Sequence, residues 1–231
     1  MPHLNLFFFP GTCARVTMVG LEQSGAAFET SLVNIAAGEH RSPEYLRINP
    51  KGKVPTLMIE GRAMTENVAI LSWLARTYPQ AGLLPAGMDV RAQSETLADL
   101  SWCASSIHPI VTRLVMPQLY CDLDHAVPRV WEMASEAMHW HTRLLEQRLG
   151  DRQWMLSEWS VVDAYVQWIW DQIIVAGFDA SAYPNLNEHG ARHREQPAVQ
   201  RALARELAAI EWMAARGFPV GPPRRPSTLG H

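Results

Sequence analysis

The alternation of strand and helix patterns over the first 78 residues constrains the fold of this chain more than any other feature. Short apolar runs at residues 4–9, 28–35, 54–59 and 63–65 predict four strands. Apolar residues at helical spacing in 14–24 and 68–78 predict two helices, and the polar segment 36–49 is predicted to be irregular. The order β-α-β-β-β-α is typical of a compact α/β sheet with a right-handed crossover at its start.

The remainder of the chain has a different pattern. A segment rich in Pro and Gly follows Tyr78 and predicts a linker over residues 79–88. Strand patterns then disappear. Helical patterns cover residues 89–120 and 128–149, and shorter ones cover 161–175, 185–196 and 198–216. The chain is therefore expected to have an α/β domain (residues 1–78), an all-α domain (89–216) and an extended tail (217–231).

Composition excludes several classes of function. Hydrophobic residues make up 48% of the chain and charged residues 19%, as in an ordinary soluble globular protein. The formal net charge of −3 gives no reason to expect nucleic acid or an anionic membrane as a partner. No apolar run approaches the ~18 residues that span a bilayer, and no signal peptide is recognisable, so a cytoplasmic location is expected. Three cysteines without a CxxC pair argue against a disulfide framework or a structural metal site.

Cys13 is the cysteine whose position suggests chemistry. It lies in the loop after the first strand, at the first turn of the first helix. Unpaired N–H groups and the helix dipole would stabilise a thiolate there. In the alternative interpretation, Thr12 is an N-cap and Cys13 a small packing residue. Position alone leaves both interpretations open.

A second candidate feature is the segment Lys53-Val54-Pro55-Thr56. A proline cannot donate a ladder hydrogen bond, so it belongs at the start or edge of a strand. If the Val54–Pro55 bond is cis, the backbone of Val54 is free to pair with an extended, peptide-like ligand. An ordinary trans proline that begins a strand is the alternative.

The third feature is Thr65-Glu66-Asn67 at the entry to the second predicted helix. A carboxylate and an amide beside free N–H groups can hold both ends of an amino-acid zwitterion. The alternative is a plain N-cap, in which Glu66 only complements the helix dipole.

Together these motifs resemble a known family. The segments FPGTCARV, GEHRSPEYL, INPKGKVPTL and TENVAIL, which lie between residues 4 and 84, resemble those of cytosolic glutathione S-transferases. The pattern is closest to bacterial beta-class or theta-like members. The helical part matches more loosely, and its best motif is the capping box that joins Ser160 to Asp163.

The resemblance implies a thioredoxin-like first domain with glutathione as co-substrate. It implies that the backbone of Val54 pairs with the cysteinyl group of glutathione. Glu66 and Asn67 would hold the γ-glutamyl end, and His40 and Lys53 would face the glycine carboxylate.

The same resemblance does not decide which of two neighbouring residues, Thr12 or Cys13, is the catalytic group. Cys13 matches the cysteine of the beta class, whereas Thr12 fits the S-x-x-R-V register of serine-type classes. A hydroxyl would activate the glutathione thiol for attack on an electrophile, and a cysteine thiolate would favour mixed disulfides. We favour Cys13, because a helix N-terminus suits a thiol of low pKa.

The resemblance further implies a homodimeric detoxification enzyme that transfers glutathione to a hydrophobic, aromatic electrophile. Pro10, His108 and Arg113 would contact that electrophile, and Asp99 would reach the glutathione amine from the dimer partner. The alternatives are a thiol reductase, a lyase that cleaves ether or halide bonds, and a non-catalytic ligand-binding protein.

Overall fold

A computed structural model of the protein describes residues 2–218, which form two compact units. Within that range the first unit comprises residues 2–87, 159–161 and 194–218, and the second comprises 88–158 and 162–193. The domain limits expected from the sequence, including the linker at 79–88, stay predictions. From residue 219 onward, the expected tail lies outside the described residues.

The first unit is built on a four-stranded mixed sheet with the order β2-β1-β3-β4. β1 pairs in parallel with β2 and antiparallel with β3, and β4 continues the sheet antiparallel to β3. The alternation of buried and half-buried residues along β1 places Leu4, Leu6 and Phe8 in the core. The strands are β1 (Leu4–Phe8), β2 (Glu29–Leu32), β3 (Thr56–Ile59) and β4 (Arg62–Thr65). This confirms the predicted fold class of a thioredoxin-like α/β domain followed by helices.

Outside residues 36–49 and 89–120, the helices begin and end close to the predicted limits. In chain order they are α1 (Ala14–Ser24), α2 (Pro43–Ile48), α3 (Asn67–Thr77), α4 (Val90–Ser101), α5 (His108–Val115), α6 (Val127–Leu149), α7 (Val161–Val175), α8 (Pro184–Arg194) and α9 (Pro197–Ala214). No helix among residues 2–218 combines the length and apolar character that a membrane crossing requires.

α1 and α3 pack closely because α1 carries a glycine where they meet. A Cβ atom on Gly20 would lie 3.0 Å from Leu71 Cδ2 and 3.4 Å from Leu74 Cδ1. Any larger residue would therefore push the leucines of α3 away from α1. This contact fixes the relative position of the two helices whose N-termini flank the candidate site.

The prediction that residues 36–49 are irregular is wrong for most of that segment. A 3₁₀ turn spans Glu39–Arg41, and α2 follows it directly. Ser42 caps α2 by accepting a hydrogen bond of 3.2 Å from the backbone N–H of Tyr45, and Pro43 occupies the first helical position. Both are ordinary signals for a helix start, but α2 is too short to show a clear apolar period.

The single helix expected over residues 89–120 is also wrong, because α4 and α5 are separated by a π-helical segment, Trp102–Ile107. Within that segment the backbone N–H of His108 donates to the carbonyl of Cys103, five residues back. Pro109 lacks the N–H that a regular helix would use there, so a wider turn carries the chain past it. Regular helix then ends at Val115.

α9 belongs to the first unit, where it packs along α1. Glu22 of α1 accepts from Arg201 Nε at 2.7 Å and from Arg205 Nε at 2.5 Å. Arg201 also donates to the backbone carbonyl of Glu22 at 2.8 Å. The Glu22 side chain is only 8% exposed, so these charge-assisted bonds hold α9 against α1.

Candidate active site

The loop before β3 is held in place by a small network of buried polar side chains. The carbonyl of Lys53 accepts from Tyr45 Oη at 2.7 Å and from Asn49 Nδ2 at 2.7 Å. Both donors also reach Thr56 Oγ1, at 3.0 Å and 2.9 Å respectively. Asn49 Oδ1 accepts from the backbone N–H of Lys51 at 3.1 Å. Because Asn49 and Thr56 are fully buried, this network fixes the backbone of residues 51–56.

The network leaves the backbone of Val54 available at the surface of the loop. The Val54–Pro55 peptide bond is cis, as one of the two interpretations of the sequence required. Among residues 2–218, the Val54 N–H makes no hydrogen bond. The Val54 carbonyl accepts a weak bond of 3.6 Å from Cys13 Sγ. A peptide-like ligand could therefore pair with Val54 beside the thiol of Cys13.

Substitution of Asn49 tests this network. Asn49→Ala removes the amide group that satisfies Lys53, Thr56 and Lys51, so we expect the free energy of unfolding to fall by about 1–3 kcal/mol. Asn5→Ala is the matched control, because Asn5 is half-buried and its amide pairs with the Ser31 hydroxyl. Urea unfolding measures both variants, and equal losses would contradict the role given to Asn49.

Cys13 is the N-cap residue of α1. The sequence predicted a low pKa for its thiol, but the pKa is raised. The residue is 8% exposed, and desolvation by burial raises its pKa from 9.0 to about 12. The hydrogen bonds near the thiol and the charge of Lys53 act in the other direction but are smaller. The prediction of a low-pKa thiol is therefore wrong, because burial outweighs the helix N-terminus.

Thr12, the rival catalytic residue, uses its hydroxyl within the loop. Thr12 Oγ1 donates to the carbonyl of Phe9 at 2.7 Å and accepts from the backbone N–H of Ala14 at 3.4 Å. These bonds make a compact turn that joins β1 to α1. The proton of the hydroxyl is thus directed at Phe9.

The acidity of Cys13 can be tested by alkylation of a Cys103→Ala/Cys121→Ser protein, in which Cys13 is the one remaining cysteine. The folded-state pKa lies above the unfolded one, so the thiol adds stability below about pH 9 that is lost as the pH rises towards 12. At pH 8 we expect labelling by iodoacetamide to be slower in the folded protein than in urea by roughly two to three orders of magnitude. A labelling rate that is already maximal at pH 7 would contradict this.

At the start of α3, the side chain of Asn67 is buried and that of Glu66 is exposed. Asn67 is 5% exposed, and its side chain accepts from Thr17 Oγ1 at 2.6 Å and donates to the Cys13 carbonyl at 3.0 Å. Its amide is thus used to join α3 to α1. The Glu66 carboxylate is 64% exposed and lies 2.5 Å from Lys51 Nζ. Glu66 adopts φ +74°, in the left-handed region that non-glycine residues rarely occupy.

His40 and Lys53 lie on either side of a close backbone approach. Gly52 has φ +60°, and a Cβ atom there would lie 2.9 Å from the carbonyl oxygen of His40. Both the positive φ and the short distance require a glycine at position 52. Its small size lets the turn that contains His40 approach the loop that contains Lys53. Burial, with the charge of Arg41, lowers the pKa of His40, so its imidazole is neutral at pH 7.

Of the predicted electrophile contacts, Pro10 lies in the loop after β1, whereas His108 and Arg113 lie in the second unit. His108 Nδ1 is 3.3 Å from Tyr165 Oη, and its ring packs edge-on against Trp168 with centroids 4.5 Å apart. Arg113 stacks over the ring of Tyr120. Their roles towards a substrate stay predictions.

Asp99, the residue predicted to act across a dimer, also lies in the second unit. Its carboxylate forms a bidentate ion pair with Arg148 and is 14% exposed. Asp99 therefore has a partner inside its own unit, and the cross-dimer contact stays a prediction.

Sequence reasoning missed one residue at this site, Glu206 of α9. Glu206 Oε1 accepts from the backbone N–H of Gly11 at 3.1 Å. Glu206 Oε2 accepts from Arg15 at 2.9 Å (Nε) and 2.7 Å (Nη2). The partners are 195 and 191 residues away along the chain, so no local pattern could have indicated the contact.

The part of the chain that the structure describes contains no group of three or more His, Cys, Asp or Glu side chains arranged to hold a metal ion.

Residues 2–76 match the family model "Glutathione S-transferase, N-terminal domain". A maleylacetoacetate isomerase from Rhizobium meliloti is 30% identical over 194 residues, which cover 80% of this chain and 87% of the relative.

Solved structures give the same relation. A bacterial beta-class glutathione S-transferase from Sphingomonas chungbukensis is 32% identical with a TM-score of 0.76, over 87% of this chain and 98% of that one. A sphingomonad glutathione S-transferase, solved in complex with glutathione, is 29% identical with a TM-score of 0.76, over the same shares of the two chains.

Proposed function

The chain belongs to the glutathione S-transferase family, as its motifs predict, and from this membership we propose that it binds glutathione in its first unit and transfers it to a hydrophobic, aromatic electrophile. The observation that carries the proposal is the backbone of Val54. Its N–H is unpaired among residues 2–218, and its carbonyl lies 3.6 Å from the Cys13 thiol. The related sphingomonad enzyme was solved with glutathione, which supports the choice of ligand.

The remaining groups suit the two ends of glutathione. The exposed carboxylate of Glu66 now pairs with the ammonium of Lys51, and the ammonium of the γ-glutamyl residue would take its place. Because the Asn67 side chain is engaged with Thr17 and Cys13, its expected contribution is the backbone N–H at the start of α3. Lys53 would face the glycine carboxylate, with His40 as a neutral hydrogen-bonding neighbour.

The state of Cys13 favours transfer over disulfide reduction. A thiol whose pKa is about 12 is protonated at neutral pH and is a poor nucleophile towards a disulfide. A protonated Cys13 can instead donate a hydrogen bond to the sulfur of glutathione and stabilise its thiolate. Thr12 is less suited, because its hydroxyl already donates to Phe9 at 2.7 Å. Catalysis would then rest on a stabilised glutathione thiolate held close to its electrophile.

A second candidate is the isomerisation of a conjugated unsaturated acid, which the similarity to a maleylacetoacetate isomerase favours. Addition of the thiolate to a double bond, rotation about the resulting single bond and elimination return glutathione unchanged. The same site supports either reaction, and the fate of glutathione distinguishes them. With an aryl halide such as a chlorodinitrobenzene, one glutathione is consumed per product, whereas an isomerase leaves the glutathione concentration constant.

Calorimetric titration with glutathione tests the binding site. We expect a dissociation constant in the micromolar to millimolar range, and Glu66→Gln should weaken binding by about 10- to 100-fold because a charged hydrogen bond is lost. Glu60→Gln is the matched control, since Glu60 also has positive φ and is exposed, but lies in the turn between β3 and β4. Absence of binding by the unaltered protein would overturn the proposal, and equal effects of the two variants would overturn the role of Glu66.

A further inference from the structure

The carboxylate of Glu206 in α9 contacts the loop that carries Thr12 and Cys13. Glu206 accepts from the Gly11 N–H with one oxygen and from the Arg15 guanidinium with the other. Gly11 lies two residues before Cys13 and Arg15 two residues after it. One side chain therefore holds the chain on both sides of the candidate catalytic residue.

Burial makes this anchor strong. The Glu206 side chain is 4% exposed and the Arg15 side chain 17%. A buried carboxylate of this kind is stable only when its hydrogen bonds are satisfied, and loss of its donors would leave the charge of Glu206 buried without compensation. The two oxygens receive one backbone donor and two guanidinium donors, so their geometry is fixed from several directions.

The conformation of the loop shows what the anchor restrains. Gly11 has φ +77°, and a Cβ atom there would meet nothing within 4 Å, so the glycine is required by its backbone angle alone. The next peptide group closes a turn in which the Thr12 N–H donates to the Phe9 carbonyl at 3.2 Å. The hydrogen bond from the Gly11 N–H to Glu206 thus holds Gly11, and the positive φ of Gly11 directs the chain into that turn.

From these contacts we propose that Glu206 is a positioning residue, which sets the loop of residues 10–13 so that Cys13 lies against Val54. Glu206 does not touch the reacting atoms in this account; it acts through Gly11 and Arg15. The catalytic consequence rests on the proposed glutathione chemistry, whereas the restraint on Cys13 does not.

The protein contains its own control for this proposal. Glu22 is a second buried carboxylate that joins α1 to α9, through Arg201 and Arg205. It lies near the end of α1 that is remote from the loop. Loss of either carboxylate weakens the docking of α9 on α1, but only loss of Glu206 removes a contact to the loop.

The experiment compares Glu206→Gln, Glu206→Ala and Glu22→Gln by urea unfolding, by steady-state kinetics with glutathione and an aryl halide, and by alkylation of Cys13 in the Cys103→Ala/Cys121→Ser background. We expect all three to lower the unfolding midpoint. The Glu206 variants alone should lower kcat, by about 10-fold for Gln, which keeps an acceptor for Gly11, and up to about 100-fold for Ala. Their KM for glutathione should change less than kcat.

Alkylation gives a readout that does not depend on turnover. We expect Cys13 to be labelled at least about 10-fold faster in the Glu206 variants than in Glu22→Gln, because a released loop exposes the thiol. If Glu206→Ala fails to fold, Glu206→Gln is compared with Glu22→Gln. Equal labelling of these variants would overturn the proposal, whether or not the protein binds glutathione. Faster labelling without any glutathione binding by the unaltered protein would support the positioning role and overturn the proposed function instead.

Discussion

The candidate site depends on the carbonyl oxygen of Lys53, which accepts hydrogen bonds from two buried side chains. Asn49 and Tyr45 both donate to it at 2.7 Å, and both continue to Thr56. Both donors are buried, so the loop cannot move away without leaving their polar groups unsatisfied. Val54, the next residue, has an N–H that is unpaired among residues 2–218 and a carbonyl 3.6 Å from Cys13 Sγ.

Two opposing effects act on the pKa of the Cys13 thiol, and the larger effect determines the direction of the shift. A helix N-terminus stabilises a thiolate, but the effect of the dipole is typically below ~1 kcal/mol at an exposed site. Full burial of a charged group is several times more costly. The pKa of about 12 therefore describes a hydrogen-bond donor and not a nucleophile. For this reason we propose activation of a bound thiol, and not disulfide exchange, as the chemistry of the site.

The sequence was sufficient wherever the signal was local. Apolar periodicity predicted the strands and α1, and the cis Val54–Pro55 bond was one of the two interpretations that the motif around Pro55 allowed. What the sequence did not predict also has physical reasons. α2 is too short to show an apolar period, although Ser42 caps it. The acidity of Cys13 depends on burial, which spacing does not reveal. Glu206 contacts Gly11 across 195 residues, so only the folded chain brings them together.

The central claim is that Val54 and Cys13 together form the contact surface for the cysteinyl group of glutathione. A crystal structure of the protein with bound glutathione tests it most directly. The account predicts the cysteinyl amide paired with the Val54 backbone at about 3 Å, and the ligand sulfur nearer to Cys13 Sγ than to Thr12 Oγ1. Glutathione bound away from Val54, or with its sulfur against Thr12, would contradict it.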